Sequence, residues 1–284
     1  MILYKYLSSD RIDVFCNRKI RYTQLGDFND PYELNPNIDK IVEKEGIIKL
    51  TQTNLEKLVE EEYEKHPVVH TLVSKDEFLK LLKSREGLFH QSMATLEPII
   101  SRLLPASLQN VFNSSIGALS LSEDPKNELM WSHYAEEHRG YVLGFDSTHT
   151  YFNQKLSPSD ELRHLRKVSY TKERPKINLM NTNGVDLFLT KSMKWQYELE
   201  WRIIRPFTEA TESLDKKPYP IYLFSFPVKA ISEVILGFRM SEEKRNSIRN
   251  KLIKDNNYSH IKFYQAKLDE SNFSINLINA DRFE

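Results

Sequence analysis

The chain has 284 residues, 40% hydrophobic and 28% charged, which excludes a disordered tail and allows a core large enough to fold without covalent staples. Lys plus Arg and Asp plus Glu both total 40, so no global field draws the protein onto nucleic acid or an anionic membrane, and any basic contact must be local. One cysteine, Cys16, rules out an intramolecular disulfide and the sulfur half of a zinc site, no apolar run reaches the ~18 residues of a membrane span, and charges early in MILYKYLSSDRIDVF leave no signal-peptide core, so a cytoplasmic address is expected.

Met1 to Tyr6 reads as a strand, followed by capping oxygens at Ser8-Ser9-Asp10 and a short helix through Val14 and Phe15. Lys19 to Thr23 reads as a second strand, broken by Gly26-Asp27-Phe28-Asn29-Asp30-Pro31, because Pro31 disfavours helical geometry at Asp30 and Asn and Asp make local turns. From about 38 to 113 the apolar residues fall at helical spacing, as in Leu55, Leu58, Val59 and Tyr63, with Pro67, Pro98 and Pro105 as breaks. This block is expected to be a helical insertion or cap laid over a single α+β domain spanning 1–284.

Strand signals return at Ile116 to Ser122, then a short helix through Trp131, His133 and Tyr134, then a strand from Gly140 to Phe145. Further strand candidates are 168–170, 199–204, 221–226, 234–238 and 261–266, with a capped helix from Ser241 to Lys254. Strands and helices do not alternate regularly, so the expected class is α+β with a largely antiparallel central sheet.

Three segments concentrate polar, aromatic and ionisable residues: 27–33, 130–140 and 191–202. Their structural reading is a turn at Asn29-Asp30-Pro31, core roles for Trp131 and Tyr134, and a satisfied histidine at His133. The third segment is read as a strand, which places Glu198, Glu200 and Arg202 on one face with Lys191 and Lys194 just upstream. Two carboxylates on one face need cations or a raised pKa, and the alternative to a site is a surface ladder at a sheet edge.

The ordered motifs L-Y-K-Y-L, F-N-D-P-Y-E, L-S-L-S, M-W-S-H-Y-A-E-E-H-R-G-Y-V-L-G-F, K-S-x-x-W-x-Y-E-x-E-W-R and E-V-I-L-G run over almost the whole chain. Their order resembles a bacterial family known only as domain of unknown function 2971. More loosely, the layout resembles ADP-ribosyltransferase folds, whose split sheet surrounds NAD with a first-strand aromatic or basic residue, a Ser-bearing strand and a late Glu-x-Glu. The positions matching that resemblance are Tyr4, Lys5 or Tyr6, then Ser120 and Ser122, then Glu198 and Glu200. From the three polar segments, Asn29, Asp30, Trp131, Tyr134 and Arg202 join Tyr4, Lys5, Tyr6, Ser120 and Ser122 as NAD-binding candidates, and His133 joins Glu200 and Glu198 as a catalytic candidate. The chain departs from the pattern in carrying Lys5 where Arg or His is usual and Ser120-Leu121-Ser122 where Ser-Thr-Ser is usual. The resemblance implies ADP-ribosyl transfer to an acceptor the sequence does not identify, or NAD cleavage, with a carboxylate stabilising an oxocarbenium-like centre and no metal. Such folds often act as effectors in conflict or phage defence.

Two other readings compete. In the first, Trp131, Tyr134, Trp195, Tyr197 and Trp201 beside Arg139, Lys191, Lys194 and Arg202 make a binding module for a nucleotide, nucleic acid or peptide. In the second, a metal-dependent hydrolase gathers Asp30, Glu33, His133, His138 and Glu198, although His133 and His138 are five apart and no His-Glu-x-x-His occurs. No Gly-x-Ser-x-Gly elbow or phosphate-cradling Gly-rich loop is present, which sets aside serine hydrolases, kinases and P-loop proteins.

Overall fold

The computed structural model describes residues 1–33, 37–40, 74–77, 80, 109–174, 176–178 and 186–280. The chain divides into two compact units, the first made of Met1–Leu34, Gln109–Glu173 and Val185–Glu284, the second of Asn35–Leu108 and Arg174–Gly184. In the first unit the strands are β1 (Ile2–Leu7), β2 (Lys19–Tyr22), β4 (Ile116–Ser122), β5 (Tyr141–Asp146), β6 (Arg166–Lys167), β7 (Ser169–Thr171), β9 (Thr190–Ser192), β10 (Glu200–Pro206), β11 (Glu212–Leu214), β12 (Ile221–Ser225), β13 (Ile231–Leu236), β14 (Lys262–Leu268) and β15 (Ile275–Asn279). Its helices are α1 (Val14–Asn17), α2 (Glu128–Tyr134), α3 (Asp186–Leu189) and α4 (Glu242–Lys254).

An eight-stranded sheet orders β15-β14-β13-β5-β1-β4-β10-β6. Every neighbouring pair is antiparallel except β13 with β14, and there α4 supplies the crossover that a parallel pair requires. Ser241 caps α4 by accepting from the Lys244 amide, Glu242 and Glu243 fill the first turn, and Lys251 and Lys254 the last, matching the helix dipole. The sheet is buried on both faces: Tyr141, Leu143 and Phe145 of β5 enter the largest core cluster, and Val142 points into a second with Tyr6, Trp131 and Ile235. The α+β class with a largely antiparallel central sheet is what the strand signals indicated.

Strand β1 pairs with β5 along its whole length but meets β4 only at Tyr4 opposite Ser122. The central sheet therefore opens between β1 and β4. A three-stranded sheet, β11-β12-β2, approaches the same strand through a bridge from Thr23 to Ala118.

Helix α2 is short because its cap and its exit are both specified locally. Asn127 accepts from the Met130 amide at 3.1 Å and donates to the Tyr197 carbonyl at 2.9 Å, so one side chain caps the helix and ties it to the segment before β10. Asn127→Ala removes both bonds and should cost about 1–2 kcal/mol in denaturant unfolding. A loss within about 0.5 kcal/mol, the range of ordinary surface substitutions, would contradict that double role. At the exit, Glu136, Glu137 and His138 all have φ between 51° and 70°. Gly140 follows, where a Cβ would sit 2.1 Å from the Leu7 carbonyl oxygen, so the return into β5 admits no side chain.

In the second unit, β3 (Asn37–Lys40) pairs in parallel with β8 (Lys176–Asn178), and Ser74 and Glu77 form a reciprocal capping box. The start of the expected helical block is corrected by this pairing, because residues 38–40 are strand. Most of the 38–113 block, and with it the expected cap over the site, lies outside the described residues. Among the described residues, no helix is long and apolar enough to cross a membrane.

Candidate functional site

A pocket of about 180 Å³ opens where β1 and β4 part. Tyr4, Lys5 and Tyr6 line it from β1, and Ser120, Leu121 and Ser122 from β4. Alternation along β1 turns Lys5 away from Tyr4 and Tyr6, yet all three line the pocket, whose opening follows the parting of β1 from β4. Phe28 and Asn29 enter from the turn after β2, Met130 and Tyr134 from one face of α2, and Lys191, Glu198 and Glu200 complete the wall.

Behind the pocket lies a buried ionic network. Arg202 is 1% exposed; it donates through Nε and Nη2 to the two oxygens of Glu200 at 2.7 and 2.8 Å, through Nη1 to the Phe188 carbonyl at 2.8 Å, and through Nη2 to Glu33. Lys191 Nζ donates to Glu198 at 2.6 Å and to Glu200 at 3.4 Å, and lies 3.8 Å from Glu33. The Tyr134 hydroxyl donates to the other oxygen of Glu198 at 2.6 Å, with the Asn29 side chain bonded to the same hydroxyl. The Glu200 amide donates to the Tyr170 hydroxyl at 2.9 Å, so β7 holds the start of β10.

These surroundings drive the carboxyls apart. Burial would raise Glu200, but Arg202 and Lys191 outweigh it and hold the group at about 2, ionised at neutral pH. Glu198 is raised by burial, against which Lys191 works only in part. Burial lifts Glu33 to about 7 despite Arg202 and Lys191. One of its oxygens, Oε2, has no hydrogen-bond partner among the described residues and lies 3.8 Å from Lys191 Nζ. Lys191 is raised because Glu200, Glu33 and Glu198 together overcome its burial. Lys5 is lowered to about 8 by burial, with Glu200 and Glu198 opposing and Arg21 and Arg11 adding to the effect.

The structure brings together residues from all three polar segments, and it rearranges several expectations. Glu198 does not share a strand with Glu200. It ends a 3₁₀ turn, Met193–Glu198, and Leu199 at φ 44°, ψ 51° turns the chain before β10 begins at Glu200. The carboxylates converge through that left-handed residue, and both are buried, which excludes the surface ladder. His133 is exposed on α2, its ring 6.2 Å from that of Tyr134, and it is not part of the pocket wall. Trp131 is fully buried, donates to the Pro125 carbonyl at 2.8 Å and packs edge-on against Tyr6, so it supports the wall from behind. Asp30 is also buried off the wall, accepting from the Tyr32 amide, and Arg202, itself off the wall, meets lining residues through Glu200 and the Phe28 ring, 5.0 Å from its guanidinium. Among the described residues, Asp30, Glu33, His133, His138 and Glu198 form no group suited to a metal ion.

Glu33, Lys191 and Tyr170 are the participants that a reading of the sequence underweighted. Glu33 sits in the first polar segment, and its ion pair with Arg202 spans 169 residues, for which local patterning carries no signal. The match to known families falls on one part of this wall, the part that holds Met130, Tyr134, Lys191, Glu198 and Glu200. Residues 130–203 match the model of a family described as protein of unknown function, DUF2971. Over that stretch the chain is similar to DUF2971. The stretch includes most of α2, β9, Glu198, Glu200 and Arg202, whereas β1, β4 and the turn at Asn29 lie outside it. No curated protein and no solved structure matches the chain.

Proposed function

We propose that the pocket binds the nicotinamide ribose of NAD and that the protein cleaves the bond between ribose and nicotinamide, passing ADP-ribose to an acceptor or to water. The observation that supports this reading is the opening of the sheet between β1 and β4. It gathers Tyr4 and Lys5 of β1 and Ser120 and Ser122 of β4 around Glu200 of β10, the strand origins that the ADP-ribosyltransferase resemblance assigns to NAD, with Glu198 joining them from the turn before β10. A volume near 180 Å³ is smaller than the ~300–1,000 Å³ of sites enclosing drug-sized ligands, so it suits one nicotinamide-ribose half rather than a whole dinucleotide.

In this reading the two carboxyls have separate tasks. As the ribose C1′–nitrogen bond breaks, its electron pair neutralises the pyridinium and positive charge grows on C1′ and the ring oxygen. Glu200, ionised and fixed by the Arg202 fork, is a preorganised counter-charge that needs no rearrangement as that charge develops. Glu198, with its raised pKa, takes the proton from the attacking acceptor or water. Tyr134 and Lys191 hold it in position.

Incubating the full chain with NAD and candidate acceptors, while following nicotinamide by chromatography, tests the reading. Release above a no-protein control is the expected outcome. No release with water or any acceptor, together with saturable binding of a nucleotide, would favour a binding module using the same pocket.

A further inference from the structure

The pocket contains two lysines in opposite states. Lys191 is clamped by carboxylates: Glu198 at 2.6 Å, Glu200 at 3.4 Å and Glu33 at 3.8 Å. Lys5 projects into the same pocket with its Nζ bonded only to a neutral group, the Ser120 carbonyl at 3.1 Å, and forms no ion pair among the described residues. We propose that Lys5 is a nucleophilic amine that condenses with the aldehyde of a small hydroxylated ligand to form an imine. The proposal does not depend on NAD chemistry.

The charged groups facing Lys5 are Glu198 and Glu200 across the pocket, Arg21 from β2, and Arg11 from the 3₁₀ turn after β1. Burial dominates over all of them and brings the amine to about 8, so at pH 7 about a tenth of it carries a free electron pair. That electron pair attacks the carbonyl carbon, forming the C–N bond while the carbonyl electrons move to oxygen, which takes the first proton released by nitrogen. A proton from the Glu198 carboxyl or from solvent then lets the carbinolamine hydroxyl leave as water as nitrogen shares its electrons to make C=N, and the remaining N–H proton of the iminium returns to the Glu198 carboxylate or to solvent. The sum is amine plus aldehyde giving imine plus water, with no redox partner. Asn29, Ser120, Tyr134 and Glu198 offer donors and acceptors for hydroxyls, and the volume fits a short sugar-like aldehyde in its open-chain form.

The test is reductive trapping on the full chain with D-glyceraldehyde and cyanoborohydride at pH 7, mapping labelled peptides against time. Each unit of lowered pKa gives about tenfold more neutral amine, so Lys5 should be labelled roughly tenfold or more faster than the exposed Lys126 and Lys194. Its rate should saturate with glyceraldehyde and level off above pH 8, whereas rates at Lys126 and Lys194 should stay linear in glyceraldehyde. Lys191 should remain unlabelled. Lys5→Arg should abolish the saturable component while Lys126 keeps its rate and thermal unfolding confirms the fold. Labelling of Lys5 at or below the rate of Lys126, or without saturation, would overturn the proposal, and because wild-type protein alone decides that comparison, a poorly folded variant would not obscure it.

Discussion

Replacing Arg202 with methionine is expected to cost about 3–5 kcal/mol of folding stability. The guanidinium is 1% exposed and bonds Glu200 twice, Glu33 and the Phe188 carbonyl. Without it, Lys191, already shared with Glu198, is the one ion-pair partner left to Glu200 and Glu33 among the described residues. Arg202→Lys should recover only part of the loss, because a single ammonium cannot reproduce a planar fork that engages Glu200, Glu33 and a carbonyl together. Denaturant titration at pH 7 checks this as a shifted midpoint with unchanged slope. The same network sets an acid limit. Glu200 is held below its unfolded value, so the stability it contributes is present above about pH 4.5 and is lost as pH falls through about 2. A loss below about 1 kcal/mol for Arg202→Met would show that the ion pairs are not formed as described.

Glu200→Gln is expected to lower nicotinamide release at saturating NAD by about 10² or more, with little change in NAD affinity. The substitution keeps shape and removes the negative charge, so it strips stabilisation that the transition state has and the ground state lacks. It also leaves Arg202 with Glu33 as its partner, and for that reason Glu198→Gln is the necessary companion: it leaves the Arg202 fork untouched. If Glu198 is the general base, Glu198→Gln should remove the acidic limb of the pH–rate profile along with the rate. Equal release by wild type and both variants would remove the carboxyls from the chemistry.

Much of the framework could be read from the chain. Ile116 to Ser122 is a strand with the bounds its apolar residues indicate, and Ser241 caps the helix its side chain announces. What escaped was long-range or conformationally hidden. Glu-x-Glu alternation suggests one strand, but Leu199 adopts a left-handed conformation without the Gly or Asn that would signal it, so Glu198 reaches the pocket from a turn. His133 looked like a catalyst beside Tyr134, yet on α2 it is Met130 and Tyr134, four apart, that share the pocket face. The edge strand Ile275–Asn279 was missed because Asn276 and Asn279 dilute its β signal.

The most direct measurement is a crystal structure of the full chain with a non-hydrolysable NAD analogue. The nicotinamide ribose is expected between Tyr4 and Ser122 on one side and Glu198 and Glu200 on the other, with a ribose hydroxyl within hydrogen-bond reach of a carboxylate, about 3 Å. An analogue seated elsewhere, or a pocket left empty at saturating analogue, would contradict that placement.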